Sequence, residues 1–167
     1  MNDSLANIFR FILFLLLQLL LFNSINLFGY LNPYPYILFI VLFPVNGNKP
    51  TLLVTSFFIG LLLDMFTNSG GVHATASLVL AYIRPSIFKF SFGLSYEYQT
   101  VKIADKISPE RISFLVIAIF IHHLVLFSLE FFRFGLFLSI IGRTLLTTLF
   151  TFFICLLIIY LIKPNKR

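Results

Sequence analysis

Charged residues, tryptophan and cysteine are scarce in this sequence. Only 11% of its 167 residues are charged, it has no tryptophan, and its single cysteine, Cys155, lies in an apolar run. One cysteine excludes an internal disulfide and a cysteine-based zinc site. The hydrophobic fraction is 59% and the mean hydropathy is +1.00. These values are typical of an integral membrane protein and exclude a soluble domain of this size.

The apolar residues fall into six tracts, and each is a candidate membrane-crossing segment. Crossing the hydrocarbon core takes about 20 apolar helical residues. The second tract is the weakest, because helix-breaking prolines bound it on both sides. It is either a short tilted span or a re-entrant segment. The tracts cover residues 11–31, 35–45, 51–66, 72–88, 112–131 and 136–162.

The basic residues predict the orientation of these tracts. If all six cross and the N-terminus is cytoplasmic, ten of the twelve Lys and Arg residues lie on the cytoplasmic side. Arg133 then lies outside, and Arg143 lies within the last tract. Because basic residues are enriched in cytoplasmic loops, this asymmetry predicts six spans with both ends in the cytoplasm. The first tract is expected to be an uncleaved span and not a signal peptide, because Asn23, Ser24 and Asn26 follow where small cleavage-site residues would be expected. The net charge of +6 then reflects loop topology, and no nucleic-acid partner is expected.

The one hydrophilic segment of any size is the predicted cytoplasmic loop at residues 89–111. It mixes aromatic and charged side chains, which suits either an interfacial helix or a solvated loop. Because tryptophan is absent, the aromatic belt at the membrane surfaces has to be built from tyrosine. The expected belt residues are Tyr30, Tyr34, Tyr36 and Tyr160.

Two ionisable side chains flank a polar turn between the third and fourth tracts. Asp64 lies near the end of the third tract, and His73 begins the fourth. Between them, Gly70 and Gly71 permit the backbone conformations that a short connection requires. We expect a hydrogen-bonded Asp64–His73 pair that fixes the hairpin, with a proton relay or ligand site as the alternative.

Two arginines also lie in or at the end of apolar tracts. Arg143 lies about two turns into the last tract and requires an anion. An ion pair with Glu130 or Asp64 is expected, and the alternative is a binding site for an anionic lipid or substrate. Arg84, followed by Pro85, is predicted to end the fourth span at the cytoplasmic face, where its side chain can reach water.

The remaining polar residues in the tracts do not indicate an enzyme. His122 and His123 point about 100° apart on a helix, so they cannot form the i, i+4 pair that favours metal binding. One is expected to hydrogen-bond across helices and the other to face lipid or a partner. Gln18, Asn23 and Asn26 are expected to make interhelical hydrogen bonds within the first span. No activated nucleophile, acidic pair, metal cluster or phosphate-binding loop is evident, so neither catalysis nor a cofactor is predicted.

A motif that joins the third and fourth tracts resembles the bacterial rod shape-determining protein MreD family. The pattern is a Gly-x-x-x-Asp helix end, a glycine-bearing turn, a small-residue helix start and a following Ala-Tyr pair. Its length, six-tract layout, paired histidines and basic tail extend the similarity over nearly the whole chain. The residues that carry the resemblance include Gly60, Asp64, Gly70, Gly71, His73, Arg84, His122, His123, Glu130 and Arg143.

The resemblance implies a non-enzymatic inner-membrane subunit of the bacterial cell-elongation machinery. Such a subunit works with MreC, and through it links MreB filaments to the peptidoglycan polymerase RodA and its partner transpeptidase. Besides membrane lipid, these are the implied partners. With almost no domain outside the bilayer, contact is expected through helix faces in lipid, the outer turn at residues 32–35 or the loop at residues 89–111. The candidate faces are the polar first tract and the small-residue side of the fourth tract, formed by Ala74, Ala76, Ser77 and Ala81.

The resemblance also implies a compact bundle similar to the six-helix substrate-binding component of energy-coupling-factor transporters. This similarity provides a second interpretation, a small-molecule-binding membrane component of a transporter. That function requires a cavity lined by polar groups, for which Asp64, His73 and Arg143 are the candidates.

Overall fold

The computed structural model describes residues 3–29, 31–45, 47–93, 108–131 and 137–162, and this part of the chain is built from helices joined by short connections. Within it, four helical segments are long and apolar enough to cross a membrane, namely Leu5–Phe22, Lys49–Thr67, Pro109–Phe131 and Phe137–Ile162. The chain is therefore a helical membrane protein. The helices are α1 (Asp3–Leu17, continued by a π-helical turn over Gln18–Phe22), α2 (Ile37–Val41), α3 (Lys49–Thr67), α4 (Val72–Phe92), α5 (Pro109–Phe131) and α6 (Phe137–Ile162).

The shortest helix, α2, lies at the centre of the bundle. All five of its side chains are buried, and it packs against α1, α3, α4 and α5. Five helical residues rise only about 7.5 Å, so α2 alone does not have the length of a crossing helix. The tract at 35–45 is apolar because its residues form the core of the bundle.

The segment that contains α2 runs parallel to α4. Asp64 contacts the N-terminus of α4, and Arg84 lies about three turns further along that helix. Tyr36, just before α2, contacts His73 in the first turn of α4, whereas Phe43, just after α2, contacts Arg84. The bundle therefore has two ends, called here the Asp64 end and the Arg84 end.

The other helices alternate in direction between these ends. Phe114, near the start of α5, packs against Phe88 of α4 with ring centroids 4.1 Å apart. His122, further along α5, hydrogen-bonds to Tyr36, so α5 runs from the Arg84 end to the Asp64 end. Gln18, near the end of the first helix, bonds to the chain just before α2. The start of α1, the α2–α3 connection and the start of α5 thus share the Arg84 end.

The first predicted tract, 11–31, is wrong in its boundaries. The helix begins at Asp3 and, with its π-helical turn, ends at Phe22. Beyond Phe22 the backbone turns and reaches a positive φ of 46° at Asn26. Asn23 and Asn26 therefore lie in a connection and not in a span as predicted. Polar side chains are favoured in such connections because they can hydrogen-bond to the backbone groups of a turn.

The helices on either side of the predicted loop 89–111 extend into it. α4 continues to Phe92 and α5 begins at Pro109. Pro85 lies inside α4 without ending it, so the expected helix end at Arg84 is wrong. Residues 94–107 lie outside the described residues, and both interpretations of that part of the loop stay predictions.

Candidate functional site

The carboxylate of Asp64 caps the N-terminus of the next helix. Its Oδ1 accepts the backbone N–H of His73 at 3.0 Å and the Ser69 hydroxyl at 2.5 Å, and its Oδ2 accepts the backbone N–H of Ala74 at 2.8 Å. The first N–H groups of a helix have no partner within the helix. Buried Asp64 supplies that partner and places a negative charge at the positive end of the α4 dipole.

The turn between α3 and α4 depends on residues that accept a left-handed backbone. Asn68 ends α3 at φ 54°, and its N–H bonds to the carbonyl of Asp64. Gly70 and Gly71 follow at φ 69° and 95°. Glycine adopts these angles without the steric cost that a Cβ imposes. The predicted role of the two glycines in a short turn is confirmed.

Gly60 permits the close approach of α3 and α4. It lies one helical turn before Asp64, on the same face of α3. A Cβ at this position would fall 2.6 Å from both the N and the Cα of Ala74. The Gly-x-x-x-Asp pattern therefore places the close contact and the cap on one side of α3, facing the start of α4.

The imidazole of His73 bonds to Tyr36. Asp64, the predicted partner of His73, bonds to the backbone amide of His73 and not to its imidazole. The Tyr36 hydroxyl lies 3.1 Å from Nδ1 of His73 and 2.8 Å from Nε2 of His122. Tyr36 and His122 have no exposed surface. One buried hydroxyl thus joins the α2 segment to both α4 and α5.

The second histidine of the pair is also enclosed by the bundle. Nδ1 and Nε2 of His123 lie 3.3 Å and 3.5 Å from the hydroxyls of Thr148 and Thr151 on α6. The backbone N–H of Tyr34 donates to the same Thr151 hydroxyl at 3.1 Å. His123 has no exposed surface. The expectation that one histidine faces lipid or a partner is wrong, because Tyr36 before α2 and the threonines of α6 supply the two imidazoles with hydroxyls.

Of the tyrosines expected at the membrane surface, Tyr36 lies inside the protein and Tyr34 is half-buried. Tyr36 is fully buried, and the ring of Tyr34 packs with its centroid 5.4 Å from those of both His73 and His123. Tyr160 is 67% exposed, as a belt residue would be. Tyr30 lies outside the described residues. The prediction is wrong for Tyr36, because its hydroxyl lies against two buried histidines, His73 and His122. For Tyr34 it stays a prediction.

Arg84 turns inward and binds the C-terminal end of α2. Its guanidinium donates to the carbonyl oxygen of Val41 at 3.3 Å and to that of Phe43. It also lies 4.7 Å from the ring centroid of Phe88. The side chain is only 5% exposed, so the predicted extension into water is wrong. The last carbonyls of a helix need donors, and a cation is favoured at that end of the helix dipole.

Arg143 does not pair with Asp64, whose oxygens bond to α4 and to Ser69. Its half-buried guanidinium lies 5.0 Å from the ring centroid of Phe131. Glu130 is exposed at the end of α5. A pairing of Arg143 with Glu130 stays a prediction.

The small-residue face of α4 is occupied within the protein. Ala74, Ala76, Ser77 and Ala81 are all at most 4% exposed. Ala76 packs in a cluster with Leu126 and Phe127 of α5 and Ile140 of α6. This face is not available to a partner, so the predicted contact surface is wrong. Small side chains here serve the close packing of helices within one chain.

The buried polar cluster consists of Tyr36, His73, His122, His123, Thr148 and Thr151. The sequence did not lead us to predict Tyr36, Thr148 or Thr151 as its members. A signal for the threonines was present. α6 is strongly apolar, yet it carries threonines at positions 144, 147, 148 and 151, spacings that place them along one helix face. A threonine stripe in an apolar helix indicates an interhelical hydrogen-bonding face. Tyr36 had no such signal, because its partners come from two distant helices.

Comparisons with known proteins do not assign the chain to a family. No protein-family model, curated protein or solved structure matches the chain. Among the described residues, no three His, Cys, Asp or Glu side chains lie together in a group able to hold a metal ion.

Proposed function

We propose that this protein is a non-enzymatic subunit of the bacterial cell-elongation complex, of the MreD type, that crosses the inner membrane six times and binds MreC. Through MreC it would help to organise peptidoglycan synthesis by RodA and its partner transpeptidase along MreB filaments. The observation that carries the proposal is that the motif of the resemblance forms one structural unit, the α3–α4 hairpin. Its members are Gly60, Asp64, Gly70, Gly71 and His73.

A scaffold function agrees with how the polar groups are used. The cap at Asp64, the bonds of Arg84 and the buried histidines all join elements of this chain to one another. Such bonds stabilise one arrangement of helices and leave lipid-facing surfaces to recognise a partner. The most open surfaces belong to α1 and α6. Their exposed apolar residues include Leu5, Ile8, Phe9, Ile12 and Leu16 on α1, and Leu145, Leu149, Phe153 and Leu157 on α6.

Six crossings are supported by the alternating helix directions and by charge. Lys49, Arg84, Lys89 and Arg111 belong to the Arg84 end of the bundle. We place this end in the cytoplasm, following the enrichment of basic residues there. The α2 segment would be the second crossing. Irregular backbone at membrane depth is tolerated where protein surrounds it, and residues 35–41 are buried on all sides.

The transporter interpretation is the weaker candidate. It requires Asp64, His73 and Arg143 to face a solute, but both carboxylate oxygens of Asp64 and the Nδ1 of His73 have partners within the protein. A solute would have to displace these bonds in a low-dielectric interior, where an unpaired polar group is costly.

Site-specific photo-crosslinking tests the scaffold proposal. A photoreactive amino acid replaces Ile12 on α1 or Leu149 on α6, and the matched control replaces Ile119, which has no exposed surface. We expect to find MreC among the proteins crosslinked to at least one of the two exposed positions. MreC should be absent from the Ile119 control and from a sample that was not irradiated. Capture of a transporter ATPase with its coupling subunit, in place of MreC, would overturn the proposal.

Cysteine labelling tests the six-span topology. In a Cys155→Ser background, Ser24→Cys marks the Asp64 end and Asn48→Cys marks the Arg84 end, both at exposed positions. A membrane-impermeant maleimide should label Ser24→Cys in intact spheroplasts and label Asn48→Cys only after permeabilisation. Labelling of both positions from the same side would rule out a crossing by the α2 segment.

A further inference from the structure

A cavity of about 390 Å³ opens at the Arg84 end of the bundle, away from the histidines. Its walls are the α2–α3 connection, the first turns of α3 and residues 81–86 of α4. The volume falls within the range of about 300–1,000 Å³ that is common for ligand pockets. The turn between α3 and α4 and the buried polar cluster take no part in it.

The described residues that line the cavity carry positive charge. Among the described residues that line it, Lys49 and Arg84 are basic and none is acidic. Arg84 is held in the wall by the carbonyl of Val41 and the ring of Phe88, so its charge is fixed in position. Lys49 is exposed at the mouth. Both charges therefore favour an anion, one from within and one from the entrance.

The N-terminus of α3 adds to this positive field. α3 begins at Lys49, and the side chain of Asn48, the residue before it, makes no capping hydrogen bond to the helix. Pro50, in the first turn, has no N–H, but the helix dipole still places partial positive charge at this end. The helix start, the lysine and the arginine thus act on the same small volume.

The remaining walls of the cavity are apolar. Val45, Leu52, Leu53 and Ile83 line it beside the two cations. Tyr82, at its edge, is 75% exposed and positioned as an interfacial aromatic residue. A soluble anion would match only the basic side of such a cavity. An amphiphile with an anionic headgroup and an adjoining hydrocarbon chain matches both sides.

We propose that this cavity binds the phosphate of an anionic phospholipid, with Lys49 and Arg84 as the cationic groups and the apolar walls in contact with the start of the acyl chains. The site rests on the proposed topology only for the choice of leaflet, which is the cytoplasmic one. Anionic lipid bound here would bridge the α2–α3 connection to α4 and so stabilise the Arg84 end.

Lipid binding to the purified full chain in detergent tests the proposal. Phosphatidylglycerol and phosphatidylcholine are each added, and retention is measured by native mass spectrometry, with thermal stability as a second readout. We expect retention of phosphatidylglycerol but not of phosphatidylcholine. Lys49→Gln should weaken phosphatidylglycerol binding about fivefold, the effect of one basic residue near a membrane surface. The matched control is Lys89→Gln, an exposed lysine of α4 outside the cavity lining, which should bind as the wild type does.

Inorganic phosphate separates the two sources of the ligand group. If millimolar phosphate stabilises the protein in a Lys49-dependent manner and displaces phosphatidylglycerol, the site takes a soluble anion and the lipid proposal is overturned. Equal binding of the two lipids, or equal losses for the two lysine variants, would also overturn it. The measurement uses no MreC, so its failure would leave the scaffold proposal unaffected.

Discussion

The carboxylate of Asp64 in α3 accepts the backbone N–H of Ala74 in α4 at 2.8 Å, so a side chain of one helix completes the first turn of the next. Arg84 makes the complementary arrangement at the other end of the bundle, where its guanidinium binds the carbonyls at the end of α2. An anion at a helix N-terminus and a cation at a helix C-terminus both interact favourably with the helix dipole. The two ionisable side chains therefore fix how neighbouring elements pack.

Removal of the Asp64 cap should destabilise the hairpin. Asp64→Ala leaves N–H groups of His73 and Ala74 buried without an acceptor, and each such group costs about 1–3 kcal/mol. Asp64→Asn keeps one carbonyl oxygen as an acceptor, so its loss should be smaller. The matched control is Ser128→Ala at an exposed position of α5, which should change the free energy of unfolding little.

The single cysteine allows the thermal stability of these variants to be measured. Cys155 is fully buried in α6, so its thiol should react with a fluorogenic maleimide only as the bundle unfolds. The midpoint of thiol labelling on heating in mild detergent should fall in the order wild type, Asp64→Asn, Asp64→Ala. Equal midpoints for all three proteins would show that the cap does not stabilise the fold.

Gly60→Ala tests the close approach of α3 and α4. Its new Cβ would lie 2.6 Å from the backbone of Ala74, so the helices must move apart, and overpacking of this kind costs about 1–3 kcal/mol. Gly142→Ala is the matched control, because a Cβ placed there has no described atom within 4 Å apart from its own local helix backbone and chain neighbours. We expect Gly142→Ala to be neutral or stabilising by up to about 1 kcal/mol, as alanine is the better helix former. Similar midpoints for the two variants in the thiol assay would contradict the close packing.

The α3–α4 hairpin could be predicted from sequence because its parts are local. Gly70 and Gly71 indicate a turn, and Asp64 and His73 flank it at a fixed distance along the chain. It was not predictable that the bond from Asp64 would go to the backbone of His73 and not to its side chain. The imidazole and the amide of His73 are equally near Asp64 in sequence. In the structure the amide bonds to Asp64, and the imidazole bonds to Tyr36, which is 37 residues away in sequence.

The function of the α2 tract and of Arg84 could not be predicted from local pattern. An apolar run between prolines has the same pattern whether lipid or protein surrounds it. Likewise, an arginine near a helix end resembles a surface residue unless the carbonyls of a distant segment are known to need a donor. Both errors arise from packing between elements that are about 40 residues apart in sequence, as with Arg84 and Val41.

Arg84→Met should destabilise the α2 segment. The substitution keeps a long apolar side chain but leaves the carbonyls of Val41 and Phe43 without this donor, at a cost of about 1–3 kcal/mol. Arg84→Lys should recover part of the loss, because an ammonium is a point donor and lacks the planar fork of the guanidinium. Lys89→Met, at an exposed position on the same helix, serves as the control. Reversible unfolding in mixed micelles gives the free energies, and an Arg84→Lys variant as stable as the wild type would exclude a specific role for the guanidinium.

A double-mutant cycle should show that Tyr36 and His122 are coupled. Tyr36→Phe removes the hydroxyl that lies 2.8 Å from Nε2 of His122 and leaves that buried nitrogen without it. Because an unsatisfied buried polar group costs about 1–3 kcal/mol, the single variant should be clearly destabilised. His122→Leu in the Tyr36→Phe background removes the orphaned group, so the double variant should lose less stability than the sum of the two single losses, by about 0.5–3 kcal/mol. Tyr160→Phe, at a hydroxyl on an exposed side chain, should change stability little. Fully additive losses would show that the hydroxyl and the imidazole act independently, and the buried cluster would then be close packing without a hydrogen-bond network.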